Sequence, residues 1–140
     1  MQSRFGFRPL IRAAEILDVR LQHVDYSQTQ VESMTKISIL YPNNKGSRFD
    51  FRYYVEKHMP MAIELLGAHS GYKGVSVERG LSGGEPGTDA VFVAMCHFLF
   101  DSVEAFMAAF MTHGAQLQGD IPNYTDVQPV IQVSEVLISR

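Results

Sequence analysis

The eleven residues AVFVAMCHFLF at 90–100 constrain this fold more than any other segment. Ten are apolar, one is His97, and none is charged. A helix that crosses a bilayer needs about 20 apolar residues, so this run is too short to span a membrane. Its β-branched and aromatic content predicts a strand. A strand apolar on both faces lies centrally in a sheet and needs cover on both sides.

The neighbouring segments supply the cover. KISILY at 36–41 is a second β-branched run, ended by the turn residues Pro42-Asn43-Asn44-Lys45-Gly46. Asp50 then caps a helix with Phe51, Tyr54, His58, Met61, Ala62 and Leu65 along one face, and Gly67 ends it. YKGVSVERG predicts a strand, and SGGEPG a glycine-rich turn before the central run. Asp101 or Ser102 caps a second helix bearing Val103, Phe106, Ala109 and Phe110, with Glu104 in its first turn. VIQVSEVLI at 130–138 predicts the last strand, after a loop flanked by Pro122 and Pro129.

The order is β-α-β-β-α-β, the ferredoxin-like α+β arrangement. It predicts a four-stranded antiparallel sheet with both helices on one face. The residues of the other face are too apolar for bulk water, so a second copy of the chain is the expected lid, a homodimer.

Residues 1–33 carry four arginines against four acidic residues, with Leu10, Ala14, Leu17, Leu21 and Val24 at helical spacing. They form an N-terminal extension, either helical or a start-site artefact at Met34. The domain proper is 34–140 and carries the whole net charge of −3. No basic stripe exists to displace counterions, so nucleic acid is not the expected partner. The single cysteine, Cys96, excludes an intramolecular disulfide and a cysteine-rich zinc site. With no secretory signal visible, the expectation is a cytoplasmic protein.

Chemistry concentrates at 41–60. Tyr54 and His58 are four residues apart on one helix face, so both reach the same small volume. A histidine on a core-facing stripe is unusual, because a buried imidazole needs hydrogen-bond partners. Pro60, inside the same helix, lacks an N–H and clashes with the carbonyl of Glu56, which predicts a kink beside His58. Two readings stand. His58 is a general acid or base with Tyr54 as its partner, or it is a satisfied core histidine. His97 faces either the helices or a subunit interface, and Cys96 points the opposite way as a small core residue. The polar cluster Asp120, Asn123, Tyr124 and Asp126 is explained by loop capping, with Tyr124 in reach of a pocket mouth. The histidines lack metal-binding spacing, and SGGEPG precedes no helix, so neither a metal nor a dinucleotide is expected.

From Met34 onward the chain resembles the EthD family, in its short bacterial form. The resemblance rests on LYP at 40–42, GSRFDFRYYVEKHMPM at 46–61, GVSVERGLSGG at 74–84, FDSVEAF at 100–106, DIPNYT at 120–125 and QPVIQVSEV at 128–136. It implies a dimeric α+β barrel with a pocket between helices and sheet, as in muconolactone isomerases, polyketide cyclases and quinone-forming monooxygenases. It also implies a part in oxidative degradation of ethers beside a partner oxygenase, and carries the label oxidoreductase. The family's HMP motif falls on His58, Met59 and Pro60. On this basis His58 and Tyr54 are the candidate catalytic residues. Tyr41, Phe51, Tyr53, Met61, His97 and Tyr124 are the candidate substrate contacts. No cofactor is expected. The alternative is a module that binds or delivers a small hydrophobic metabolite without turnover.

Overall fold

A computed structural model of the chain describes residues 33–140. The helix predicted on Leu10 to Val24, and nearly all of the N-terminal extension, lie outside the described residues. The first strand, β1 (Thr35–Pro42), leads through a turn in which Gly46 adopts φ 81°, a conformation open to glycine at little cost. The helical stretch 51–67 follows (α1). It begins as α-helix over Phe51–Tyr53, widens to π-helix over Tyr54–His58, and resumes as α-helix over Met59–Gly67. Next come β2 (Tyr72–Arg79), β3 (Phe92–Phe100), α2 (Val103–Asp120), a 3-10 turn (Ile121–Asn123) and β4 (Val130–Glu135).

The sheet order is β2-β3-β1-β4, and every neighbouring pair is antiparallel. This is the expected ferredoxin-like α+β fold. The apolar run takes a central position, between β1 and β2. Strand period two sorts its side chains: Ala94, Cys96, Phe98 and Phe100 are buried toward the helices, while Met95, His97 and Leu99 point away. Register aligns the helix-facing sets, with Ile39 opposite Cys96 and Ile131, and Ile37 opposite Phe98 and Val133. Phe106 of α2 meets Phe100 edge-on at 5.5 Å and stacks on Phe110 at 5.4 Å. Burying aromatic and aliphatic groups of this size contributes about 1.5–3 kcal/mol each.

The caps match the sequence expectation. The Asp50 side chain accepts from Tyr53 N, and Ser102, rather than Asp101, accepts from Ala105 N. Three expectations are corrected. The last strand stops at Glu135, leaving Leu137 and Ile138 largely exposed. α1 ends at Gly67 without a left-handed residue; a side chain there would abut the Tyr72 ring at 3.6 Å. Pro60 is absorbed by the π-turn ahead of it, in which the Met59 N–H reaches the Tyr54 carbonyl five residues back. Pro60 then sits in the first turn of the following α-segment, where a missing N–H costs least.

Candidate active site

The π-turn exposes Val55, Glu56 and Lys57 and buries Tyr54 and His58. The two rings stack, 5.7 Å apart and 15° from parallel. Below them, between α1, α2 and the sheet, lies a cavity of about 50 Å³. Its walls include Ile39, Phe98, Phe106 and Leu117; the lining residues that carry polar side-chain groups are Tyr41, Tyr54, His58, Cys96 and Gln118.

His58 is 7% exposed and engaged at both ring nitrogens. Nδ1 lies 2.8 Å from Asp120 Oδ2, and Nε2 lies 3.4 Å from the Tyr124 hydroxyl. Asp120 Oδ1 also accepts from the Tyr53 hydroxyl at 2.7 Å and from Asn123 Nδ2 at 2.9 Å. Partial burial works to raise the Asp120 pKa, but the hydrogen bonds from Tyr53, Asn123 and His58 outweigh it and hold the carboxyl below the usual range. Burial lowers the His58 pKa, and the pull of Asp120 in the other direction is the smaller effect. At neutral pH the pair is therefore a carboxylate and a neutral imidazole. An ionised carboxylate only accepts, so the proton sits on Nδ1 and Nε2 is the ring's acceptor, turned to the Tyr124 hydroxyl.

The phenols stay protonated. Tyr41 and Tyr124, both fully enclosed, share a hydrogen bond of 2.6 Å, and burial drives both pKa values up. Tyr54 is likewise raised by burial, and beside it burial pushes the Cys96 thiol up to about 12. Cys96 is thus a packed thiol rather than a nucleophile.

A two-sided clamp sets this geometry. Arg48 Nη2 donates to the Pro122 carbonyl at 2.8 Å, Arg48 N to Asp126 Oδ1 at 2.8 Å, and Thr125 Oγ1 to the Arg48 carbonyl at 2.7 Å. Asp50 N donates to the Tyr124 carbonyl at 2.7 Å. The segment before α1 is thereby tied to the segment after α2, which brings Tyr53, Tyr54 and His58 against Asp120 and Tyr124.

Of the predicted contacts, Tyr41 lines the cavity and Tyr124 closes it at His58. Tyr53 acts from outside, through Asp120. Phe51, Met61 and His97 do not line it. Phe51 packs on Phe49 at 4.6 Å and carries Arg79 over its ring, and Met61 Sδ accepts from Gln116. His97 is on the far face of the sheet, bonded to Ser38 Oγ at 2.7 Å and 3.6 Å from Glu78 Oε2. The reason is strand alternation: once Cys96 faces the cavity, His97 cannot. The residue that sequence reasoning missed is Asp120, taken there as a loop cap. Its one signal is its place in DIPNYT, 62 residues from its partner.

Among the described residues no group of three or more His, Cys, Asp or Glu could hold a metal ion. None of their helices is long and apolar enough to cross a membrane.

The fold and the enclosed His–Asp pair define an α+β protein of the ferredoxin-like class with a pocket between helices and sheet. The EthD domain model matches residues 45–128, and the chain belongs to the EthD family. It is similar to an EthD-like protein from Ralstonia eutropha, at 46% identity over 79% of this chain and 97% of that one, with a TM-score of 0.72. A more distant likeness, at 21% identity, is to an EthD family protein from Bacillus halodurans. It covers 74% of this chain and 99% of that one, with a TM-score of 0.56. No curated protein matches the chain.

Proposed function

We propose that this protein moves a proton on a small hydrophobic metabolite, with His58 Nε2 as the base. The observation that carries the reading is the 2.8 Å contact of His58 Nδ1 with Asp120, which leaves Nε2 as the basic nitrogen of a ring that lines an apolar cavity. In the forward step a substrate C–H or O–H bond breaks, its proton goes to Nε2, and the electron pair stays on the substrate as an enolate or phenolate. Asp120 stabilises the imidazolium that forms. Return of the proton to another atom completes an isomerisation or cyclisation. Tyr54 holds the imidazole by stacking, and Tyr124 steadies Nε2 between turnovers. Family membership supports a setting in oxidative breakdown of xenobiotics such as ethers, beside a partner oxygenase and as a homodimer. Leu40, Met95 and Leu99 on the helix-free face support the dimer.

A second reading is a binding or delivery module. It is favoured by the hydroxyls of Tyr41 and Tyr124, which bond each other and ask little of a ligand.

Deuterium exchange into butanone in D2O, followed by proton NMR, tests the first reading. The expected result is catalysed exchange by the native protein and its loss in His58→Gln. Asp120→Asn should slow exchange by roughly 10²–10⁴-fold, because an amide at that position favours the tautomer with the proton on Nε2. Exchange at the native rate in His58→Gln would overturn the assignment. Binding without exchange by the native protein would favour delivery.

A further inference from the structure

Four of the five lining residues that carry polar side-chain groups already face protein partners. Tyr41 is bonded to Tyr124, Tyr54 and Cys96 lie against each other, and His58 Nδ1 is bonded to Asp120. Gln118 is the exception. It lies in the last turn of α2, two residues before Asp120, is half-buried and lines the cavity. Its side-chain amide hydrogen-bonds no described residue. No lysine or arginine is among the lining residues.

We propose that Gln118 is the ligand's second polar anchor, and that the site takes a compact, uncharged molecule bearing a carbonyl beside its acidic proton. The inference rests on the reading of His58 as the base. The carbonyl oxygen accepts from Gln118 Nε2 while the adjacent C–H or O–H faces His58 Nε2. When the proton leaves, negative charge grows on that same oxygen, and the uncommitted amide is the donor able to follow it. Were Gln118 absent, the oxygen would compete with bonds the tyrosines already make.

The same lining selects against anions. A carboxylate would carry a full charge into an apolar hollow that offers no cation, close to Asp120, which is itself ionised. Size narrows the class further. The volume of about 50 Å³ exceeds the roughly 10–15 Å³ that one water needs. It falls well short of the roughly 150 Å³ of a cavity known to hold benzene. Short aliphatic carbonyl compounds fit this range better than aromatic rings.

Butanone and propionate have nearly the same shape and differ in charge, so they are the probes. Amide NMR titrations at pH 7 should show butanone perturbing residues around the cavity and propionate leaving them unmoved. Gln118→Met keeps the volume and removes the donor, and butanone should then bind about fivefold more weakly, the worth of one neutral hydrogen bond. Gln118→Arg supplies a cation and should admit propionate. If Gln118→Met does not fold, Gln118→Glu carries the same test, since a carboxylate cannot donate. Equal binding of both probes to the native protein, no binding of butanone, or undiminished butanone binding in the donor-less variant overturns the proposal. Binding and exchange are read separately. A His58→Gln protein that still exchanges butanone at the native rate defeats the base assignment alone, and native preference for propionate overturns the ligand proposal while leaving that assignment standing.

Discussion

At the scale of single residues, the site is a problem of proton placement. Burial disfavours a charged imidazole, so His58 resists protonation in the folded chain, whereas in the unfolded chain it titrates near 6.5. As pH falls through that value the unfolded state takes up a proton that the folded state does not. Stability is therefore fully present above about pH 6.5 and falls as the pH drops toward the folded pKa. Asp120 acts lower on the scale. Its folded pKa lies below 3.8, so its contribution persists above that value and is lost as pH falls beneath it. Urea midpoints measured at pH 8, 6 and 5 should decline in the native protein, and the decline should be shallower in His58→Gln. Equal slopes in the two proteins would assign the effect to other groups. The histidine itself was legible in the sequence, because a titratable ring on a helical apolar stripe needs partners. The identity of the partner was not. Asp120 and His58 are 62 positions apart, and helix spacing says nothing about contacts at that separation.

At the scale of elements, Asp50 decides where α1 begins, and with it the position of Tyr53, Tyr54 and His58. Its carboxylate accepts from Tyr53 N at 3.0 Å, and its own N–H donates to the Tyr124 carbonyl. Replacing Asp50 with Ala removes the cap but leaves the backbone bond, so destabilisation of about 0.5–2 kcal/mol is expected in urea unfolding. A change under about 0.2 kcal/mol would mean that the clamp alone fixes the helix start. Caps, strands and the start of the sheet-facing stripe were readable because each depends on neighbours within a few residues; past the π-turn the buried residues are Met59, Ala62 and Leu66, with the expected Met61 and Leu65 only half-buried. The π-turn was not. Pro60 announces a disturbed helix, but a kink and a widened turn both answer a missing N–H. Helix packing determines which one occurs, and here the widened turn keeps Tyr54 and His58 inward while Val55 to Lys57 face solvent.

At the scale of the whole molecule, the sheet has two apolar claims on it. The helices meet one. On the other face Met95 and Leu99 stand beside His97, Ser38 and Glu78, a mixed surface of the kind two subunits share. Light scattering on the native protein should give a dimer mass, and Met95→Glu should shift it toward monomer with the fold retained. A native monomer at micromolar concentration would remove the dimer from the proposed function. The order of elements along the chain, the central place of β3 and the type of fold followed from local pattern, since hydrophobic period and turn chemistry act within ten or so residues and leave few topologies open. The arrangement of the pocket was decided only by tertiary structure. Which way β3 presents Cys96 and His97 depends on sheet register. The meeting of His58 with Asp120 and Tyr124 depends on the Arg48 clamp that draws two distant segments together. Those contacts exist only once the chain has closed, so no stretch of sequence read alone could contain them.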